Sequence, residues 1–430
     1  MKNAFFEARS FAVVGASDDK KKVGHIIFQN LMLQNKTVFP VNSKHEKVLG
    51  HKCYKTISDI SDKIDCVVIA VPSKFVLEIL NQMSIKKIKC AVIISAGFSE
   101  AGNFKLENEI IDYANKSGIK CLGPNTFGFI NTPEKINTTF FEGKTNEGNI
   151  AFISQSGAIG SAVLDQNKKF SGFVSLGNSA QIDFSDFIEY FAEDSKTKII
   201  TLYMESLKKE KGERFFGVCK NCQKPIIVLK SGKTQSGQRA AASHTAAVAS
   251  DNLVYSGIFQ QLGIKEAISI KQLFDSAEIY SKYSNIKKAC IVTNAGGAGV
   301  LTTDYCERNQ IILPELPKNV KDKLDAILPA SWSKNNPVDI IGDAIADTYE
   351  KTLKILEKEN FFDFFIVILT PQYMSQPLET AKILVNSKKP VVACFIGGEQ
   401  VESAINFLRE NQIPVFAEPK EMCDALGLIV

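Results

Sequence analysis

The sequence predicts an α/β protein made of three consecutive domains, each built on a parallel sheet. Short apolar runs of strand length alternate along the chain with longer amphipathic segments of helical period, which is the pattern of repeated strand–helix units. A length of 430 residues fits this division, since domains contain roughly 100–200 residues each. A hydrophobic share of 45% and a charged share of 23% exclude a disordered or fibrous chain.

The composition also limits which kinds of binding partner and which cellular compartment are expected. The 51 basic and 47 acidic residues leave a net charge of +4, which is too small to indicate nucleic-acid binding. No apolar run reaches the roughly 18 residues of a membrane span, so no membrane association is expected. Ten cysteines spread through apolar runs predict free thiols in a reducing compartment, hence a cytoplasmic protein. Cys219 and Cys222 lack a second pair or a nearby histidine to complete a zinc site, so no metal site is predicted.

The strand–helix units group into three predicted domains, residues 1–132, 146–281 and 286–430. In the first domain, helices are expected at 23–33 and 103–117, and strands at 10–15, 37–41, 66–71, 91–95 and 120–122. Strands of the second domain are expected at 149–154, 173–175, 198–204 and 225–230, and those of the third at 288–293, 361–369 and 390–395. The polar segment 132–149 is predicted to be a linker, and 281–287 a joint between the last two domains.

The first strand leads into a glycine turn that is typical of an anion site. A helix N-terminus favours phosphate through its free N–H groups and its dipole. The turn and the start of the next helix supply Gly15, Ala16, Ser17, Val23 and Gly24. The dinucleotide pattern G-x-G-x-x-G is absent, and the second strand ends in Asn42 and Lys44 rather than in the acidic residue that holds the ribose of NAD. A ligand with a further phosphate on its ribose, such as coenzyme A, fits better. The alternative is a nucleotide-type domain that binds nothing.

Small residues follow two more strands of this predicted sheet, at the edge where doubly wound sheets bind ligands. Such residues let an extended ligand approach the backbone closely. They are Val71, Pro72, Ser95, Ala96 and Gly97. Their chemistry alone is unspecific, and Pro72 also fits the role of a simple strand terminator.

Glycine-rich loops also follow the first strands of the second and third domains. Each would direct several N–H donors at one phosphoryl group, although a close-packed turn has the same composition. The candidate phosphate ligands are Ser154, Gln155, Ser156 and Gly157 in the second domain, and Asn294, Gly296 and Gly297 in the third. Two such loops in successive domains predict a phosphate held from both sides.

Histidine is scarce, and His244 is the one of the four whose surroundings indicate catalysis. Small residues flank it, so a large reaction partner can approach, and an imidazole is a suitable nucleophile for a phosphoryl group. An ordinary histidine in an alanine-rich helix start is the alternative. His45 and His51 are expected to be solvated, and His25 to cap or line the first glycine turn.

A nucleophilic imidazole needs its other nitrogen held, usually by a carboxylate. Glu205 ends an apolar strand of the second domain, so it would lie at the carboxyl edge of that sheet. We therefore predict Glu205 as the partner of His244, with Asp183 and Asp186 as secondary candidates.

These motifs together resemble the alpha subunit of ADP-forming acyl-CoA synthetases, the acetate–CoA ligase (ADP-forming) group of the succinyl-CoA synthetase superfamily. In the first domain the matching segments are Val-Val-Gly-Ala-Ser, Val-Asn-Ser-Lys-His-Glu, Ala-Val-Pro and Gly-Pro-Asn. In the second they are Ser-Gln-Ser-Gly-Ala, Ser-Leu-Gly-Asn, Lys-Ser-Gly-Lys-Thr and Ala-Ala-Ala-Ser-His-Thr. Thr-Asn-Ala-Gly-Gly-Ala-Gly and Asn-Pro-Val-Asp continue the match in the third, and Ser-His-Thr is its most specific part.

The resemblance implies a Rossmann-like CoA-binding domain followed by two flavodoxin-like, succinyl-CoA synthetase-like domains. It adds Asn125 to the residues near coenzyme A, identifies His244 as the histidine that is transiently phosphorylated, and makes Glu205 its support. The implied reaction is acyl-CoA + ADP + phosphate ⇌ carboxylic acid + CoA + ATP, through an acyl phosphate and phospho-His244.

The resemblance also implies a separate beta subunit with an ATP-grasp domain, since no strand–helix block of this chain is left to form one. ADP or ATP and Mg²⁺ would bind to that subunit, in a heterotetramer. Two alternatives are a catalytically silent CoA-binding regulatory or scaffold protein and a succinyl-CoA ligase alpha-type subunit. The chain departs from the family pattern at His25, Ser43, Ser206 and Ala246.

Overall fold

The computed structural model describes residues 4–166, 168–237, 239 and 252–430, and over these residues it is an α/β protein with parallel sheets, as predicted. The chain divides into two compact units, Met1–Glu266 and Ala267–Val430. Within the described residues, the first unit contains two large sheets and a small hairpin, and the second unit contains one sheet.

The first sheet is entirely parallel. The chain supplies, in order, β1 (Ser10–Val14), α1 (Val23–Leu33), β2 (Thr37–Val41), β3 (Lys47–Val48), β4 (His51–Lys52), β5 (Cys66–Ile69), α2 (Val76–Ile85), β6 (Cys90–Ile93), α3 (Phe104–Ser117) and β7 (Lys120–Leu122). The strand order is β2-β1-β5-β6-β7, and β3 and β4 form the hairpin. Every residue of β1, β5 and β6 is buried, which is why these strands read as continuous apolar runs.

The second sheet is parallel except at one edge. Its elements are β8 (Phe129–Asn131), β9 (Ile136–Asn137), β10 (Asn146–Ser154), α4 (Gly157–Asp165), β11 (Lys169–Ser175), α5 (Phe184–Glu193), β12 (Ile199–Met204), α6 (Gly212–Asn221), β13 (Ile226–Lys230), α7 (Asn252–Gln261) and β14 (Lys265–Glu266). The order is β14-β13-β12-β10-β11-β8-β9, with β8 and β9 antiparallel to their neighbours.

The expectation of a linker at 132–149 is wrong for its first half. Strand β9 pairs with β8 at the edge of the second sheet, and Thr138 and Thr139 beyond it are fully buried. Thr138 exchanges hydrogen bonds with Phe129, accepting from the Phe129 N–H (2.9 Å) and donating to its carbonyl (3.0 Å) through Oγ1. The polar composition of this segment therefore did not mean that it is exposed to solvent, because its polar side chains are hydrogen-bonded to backbone groups.

The two sheets of the first unit share one hydrophobic core. Phe6, from the N-terminal segment, stacks on Tyr190 of α5 with ring centroids 4.4 Å apart and meets Phe129 edge-on at 5.2 Å. Asn30 of α1 donates to the carbonyls of Thr139 (2.8 Å) and Phe141 (3.0 Å). Apolar and polar contacts thus join the first predicted domain to the second.

The second unit is a parallel sheet with helices along the chain between its strands. Its elements are α8 (Ile270–Lys282), β15 (Ala289–Thr293), α9 (Gly296–Arg308), α10 (Lys318–Asp325), β16 (Val338–Asp339), α11 (Ala346–Leu356), β17 (Phe364–Leu369), α12 (Pro377–Val385), β18 (Val391–Phe395), α13 (Glu399–Glu410), β19 (Val415–Phe416) and α14 (Pro419–Gly427). The strand order is β16-β15-β17-β18-β19. Helix α8 is tied to α14, where Gln272 Nε2 donates to the Asp424 carbonyl at 2.8 Å.

One topological feature recurs in all three sheets. The first strand of the parallel series lies between the second and the third: β1 between β2 and β5, β10 between β11 and β12, and β15 between β16 and β17. The direction of winding reverses at that strand, and doubly wound sheets bind ligands in the crevice at such a switch point. Each of the three predicted glycine loops follows one of these strands. No helix of the described residues is long and apolar enough to cross a membrane.

The close approach of α1 to the first glycine turn gives a test of this packing. A Cβ added at Gly24 would lie 2.1 Å from the carbonyl oxygen of Gly15. We expect Gly24→Ala to lower the free energy of unfolding by about 1–3 kcal/mol, the usual cost of overpacking. Gly217→Ala is the matched control, since a Cβ at this helical position of α6 meets no described atom within 4 Å. It should stabilise by up to about 1 kcal/mol. Thermal denaturation followed by circular dichroism measures both variants, and equal midpoints would contradict the packing.

Candidate functional site

The predicted coenzyme A residues lie together at the carboxyl edge of the first sheet. Gly15 adopts a φ of +95°, and a Cβ there would lie 2.3 Å from the Ala70 carbonyl oxygen, so only glycine fits this turn. Asn42 closes the turn from the other side, because its Nδ2 donates to the Ala16 carbonyl at 2.8 Å. Its Oδ1 accepts from the N–H of Lys44 at 3.0 Å, which leaves the Lys44 side chain exposed at the rim.

His25 stabilises the same turn from its buried side. It is buried, and its Nδ1 lies 2.9 Å from the carbonyl oxygen of Ser17. A carbonyl only accepts hydrogen bonds, so Nδ1 carries the proton. His25 therefore holds the Ser17 backbone in place.

Two further loops complete this edge. Ser95 Oγ donates to the Val71 carbonyl, and the N–H of Asn125 donates to the Ser95 carbonyl at 2.9 Å. Gly97 has a φ of +101°, and a Cβ there would come within 3.1 Å of Ser73 Oγ. The structure thus brings these loops into one chain of contacts, and its small residues leave the backbone approachable by an extended ligand.

The loop before α4 uses its serines to build itself. Ser154 Oγ donates to the Ser156 carbonyl (2.7 Å) and accepts from the Ser156 N–H (3.1 Å). Ser156 Oγ caps α4 by accepting from the Ile159 N–H at 3.3 Å. The donors of this loop that have no acceptor within the helix are the first N–H groups of α4, at Gly157 and Ala158.

The side-chain amide of Gln155 holds the end of the neighbouring strand. Its Oε1 accepts from the N–H groups of Glu205 (2.6 Å) and Ser206 (3.0 Å), and its Nε2 donates to the Ser206 carbonyl (2.8 Å). The predicted phosphate loop is therefore in direct contact with the backbone of Glu205, the residue predicted to supply the carboxylate.

Lys230, which the sequence reasoning missed, holds the same segment from the opposite side. This buried lysine ends β13, and its Nζ donates to the Glu205 carbonyl at 2.7 Å. The ammonium group also lies 4.8 Å from the centroid of the Tyr255 ring. Burial lowers the pKa of Lys230 to about 8, against the opposing effect of the Glu205 charge. The signal was present in the sequence, as a lysine that closes an apolar strand.

The other predicted catalytic groups have separate outcomes. His244 lies outside the described residues. Asp183 and Asp186 form a capping box at the start of α5, where Asp183 accepts from the Ser185 N–H at 2.7 Å and Asp186 from the Asp183 N–H at 2.9 Å. Asp186 is also paired with Arg214 at 2.9 Å. Both carboxylates thus stabilise a helix start.

The loop of the second unit is likewise held by its own side chain. Asn294 is buried and exchanges hydrogen bonds with Thr370, accepting from its N–H and donating to its carbonyl at 2.9 Å each. A Cβ at Gly296 would lie 2.7 Å from Asp339 Oδ2. The structure therefore places a carboxylate beside the start of α9, which the sequence reasoning did not expect. No cluster of side chains suited to a metal ion is found among the described residues.

The chain matches three described protein families, one after the other. Residues 9–132 match the CoA binding domain, residues 147–280 the succinyl-CoA ligase like flavodoxin domain, and residues 289–427 the ligase-CoA domain. A Rossmann-like CoA-binding domain is thus followed by two flavodoxin-like domains, as predicted. This is the domain succession of CoA ligases of the succinyl-CoA ligase type.

Comparison with individual relatives identifies the kind of CoA ligase more closely. The chain is 38% identical to acetate–CoA ligase [ADP-forming] II subunit alpha of Pyrococcus furiosus, over 100% of this chain and 97% of that protein. It is 40% identical to acetate–CoA ligase [ADP-forming] I of Archaeoglobus fulgidus over 99% of its own length, and there it spans 62% of the relative. The chain therefore belongs to the family of ADP-forming acetate–CoA ligases.

A solved structure shows the same fold. It is the Ca. Korarchaeum cryptofilum dinucleotide forming acetyl-coenzyme A synthetase 1 in complex with phosphate and ADP, with a TM-score of 0.94 at 35% identity. The match covers 98% of this chain and 94% of that one.

The buried ammonium of Lys230 predicts a specific dependence of stability on pH. Its pKa falls from 10.5 to about 8 on folding, so between these values the unfolded chain binds more protons at this residue than the folded one. Stability contributed by this residue therefore rises with pH in that window. We expect the thermal midpoint of the wild type, relative to Lys230→Met, to increase from pH 8 to pH 10 and to stay level between pH 6 and 7. A difference that is constant across the whole range would show that the ammonium titrates normally.

Proposed function

We propose that this chain is the alpha subunit of an ADP-forming acyl-CoA synthetase, which converts acyl-CoA, ADP and phosphate reversibly into a carboxylic acid, CoA and ATP. The observation that carries the proposal is the contact between the loop before α4 and the Glu205 segment, made by Gln155. It joins N–H donors suited to phosphate to a carboxylate suited to an imidazole. Family membership and the ligand-bound solved relative favour this enzyme over a silent CoA-binding scaffold or a succinyl-specific subunit.

The first step takes place between the coenzyme A loops of the first domain and the loop before α4 in the second domain. Coenzyme A lies along the carboxyl edge of the first sheet, where Lys44 supplies a cation for its phosphates and the turns at Gly15 and Gly97 supply approachable backbone. An oxygen of inorganic phosphate attacks the thioester carbonyl carbon. The carbon–sulfur bond breaks, the thiolate of CoA leaves, and an acyl phosphate forms.

The second step transfers the phosphoryl group to the chain itself. An imidazole nitrogen of His244 attacks the phosphorus, the bond from phosphorus to the acyl oxygen breaks, and the carboxylate product leaves. The N–H groups of Gly157 and Ala158 stabilise the charge on the phosphoryl oxygens. Glu205 accepts a hydrogen bond from the second imidazole nitrogen, and Gln155 and Lys230 hold the Glu205 backbone. A terminal oxygen of ADP then takes the phosphoryl group from His244, which gives ATP.

We further propose that the nucleotide and Mg²⁺ bind to a separate beta subunit with an ATP-grasp domain, in a heterotetramer. The name of the Pyrococcus furiosus relative, a subunit alpha, supports a partner. A cytoplasmic location is supported by the ten cysteines, which are all free thiols in the described part of the chain, as is usual in reducing compartments.

Labelling with phosphate tests the phosphohistidine. The protein, with any subunit that co-purifies with it, is incubated with acetyl-CoA and radiolabelled phosphate. We expect an acid-labile, base-stable adduct that His244→Ala abolishes and that Glu205→Gln forms about 10²-fold more slowly, the usual scale for a lost acid–base partner. His51→Gln, which alters an exposed histidine, is the control and should label normally.

The outcomes separate the proposals. Absence of label in the wild type, or equal label in His244→Ala, would refute the phosphohistidine. If this protein is purified from the organism that produces it and no ATP-grasp protein co-purifies, the result would count against the two-subunit arrangement.

A further inference from the structure

A loop of the second sheet reaches the edge of the first sheet and ends in a polar cluster beside the coenzyme A loops. This loop follows β11, and its Asn178 directs Nδ2 at two carboxylates, at 2.5 Å from Glu100 Oε2 and 2.8 Å from Glu107 Oε2. Glu107 is buried and also lies 3.7 Å from the ammonium group of Lys208. The side-chain amide of Asn178 thus crosses from one domain to charged groups of the other.

Glu100 links Asn178 to the Gly97 turn, because it forms hydrogen bonds with both. Its Oε1 accepts from the N–H groups of Gly97 (2.5 Å) and Phe98 (3.1 Å). Burial alone would raise the pKa of Glu100, but the hydrogen bonds from Asn178, Gly97 and Phe98 outweigh it and lower the pKa. Glu100 is therefore a carboxylate whose two oxygens are divided between the Gly97 turn and Asn178.

The same asparagine touches the second coenzyme A loop. Asn178 Oδ1 accepts from Asn125 Nδ2 at 3.3 Å, and the Asn178 N–H donates to the Pro124 carbonyl at 2.9 Å. The preceding residue, Gly177, approaches so closely that a Cβ there would lie 2.3 Å from the Pro124 oxygen. Both the position and the side chain of Asn178 are therefore set against the Asn125 turn.

The other end of this loop leads to the phosphate site. The N–H of Leu176, directly after β11, donates to the Ser154 carbonyl at 2.8 Å. Strands β10 and β11 are paired up to Ser154 and Ser175. Only Gly177 therefore separates Leu176, which contacts the end of β10 before the α4 loop, from Asn178 in the polar cluster.

We propose that Asn178 is a positioning residue, which fixes the coenzyme A loops at Gly97 and Asn125 relative to the phosphate loop so that thioester and phosphate meet in line. The inference rests on the proposed function and extends it to a group that does not itself react. It requires Asn178 to matter when acyl-CoA and phosphate must be aligned, and to matter little once the acyl phosphate exists.

A comparison of two phosphoryl donors tests this requirement. His244 labelling is measured from acetyl-CoA with phosphate, and separately from acetyl phosphate, which needs no thioester. We expect Asn178→Ala to slow labelling from acetyl-CoA and phosphate by about 10-fold or more, since small misplacements of reactants are costly. Labelling from acetyl phosphate should stay within about 2-fold of the wild type.

Gln181→Ala is the matched control from the same loop. Gln181 also bridges the two domains, accepting from the Cys121 N–H at 2.6 Å and donating to the Ile119 carbonyl at 3.1 Å and to Asn115 Oδ1 at 2.6 Å. These contacts lie at β7 and α3, away from the Gly97 turn. Gln181→Ala should lower the thermal midpoint as much as Asn178→Ala while leaving both labelling rates within about 2-fold of the wild type.

A double-mutant cycle tests the route through Glu100. If Asn178 acts through this carboxylate, the effects of Asn178→Ala and Glu100→Ala on labelling from acetyl-CoA should not add. Equal losses from both donors in Asn178→Ala, equal behaviour of Asn178→Ala and Gln181→Ala, or strictly additive effects in the cycle would each overturn the inference. A wild type that is labelled from neither donor would instead overturn the proposed function.

Discussion

The reversal of strand order at the first strand of each sheet is the constraint on which the remaining structure depends. With the second strand on one side and the third on the other, the helices that follow leave by opposite faces and open a crevice at the carboxyl edge. The helix after the first strand begins at that crevice, so its free N–H groups face any ligand there. This explains why glycine is needed at Gly15, where the turn passes within contact distance of the β5 end.

Polar side chains at these crevices form hydrogen bonds to neighbouring segments of the protein. Gln155 is hydrogen-bonded to the backbone of Glu205, Asn294 to the backbone of Thr370, and Asn42 to the Ala16 carbonyl. Buried polar groups must be paired, and here the pairing falls to amides and hydroxyls next to the loops. In the proposed function, anions meet the backbone N–H groups of these loops, which cannot change rotamer and so are preorganised.

The first unit behaves as one packed body because its two sheets share a core and several polar bridges. Phe6 is buried against aromatic rings of α5 and β8, and Asn178 and Gln181 form hydrogen bonds with residues of the first domain. A reaction between a thioester bound at one sheet and a phosphate bound at the other needs a fixed distance between them. Such a distance is a property of tertiary contacts between residues far apart in sequence.

The sequence alone predicts the fold class, the order of the domains and nearly all central strands, because buried parallel strands are short continuous apolar runs. It also brought the glycine loops and Glu205 to attention, since these follow directly from strand ends. It wrongly predicts a linker at 136–139, where residues 136–137 form a buried edge strand and Thr138 and Thr139 beyond it are also buried. The tertiary contacts, by contrast, show that Gln155 and Asn294 hold neighbouring backbone segments, and they place Lys230 beside Glu205 and Asp339 beside the start of α9. The physical reason is that a polar side chain takes its role from the partner it meets, and that partner lies on another strand or another domain.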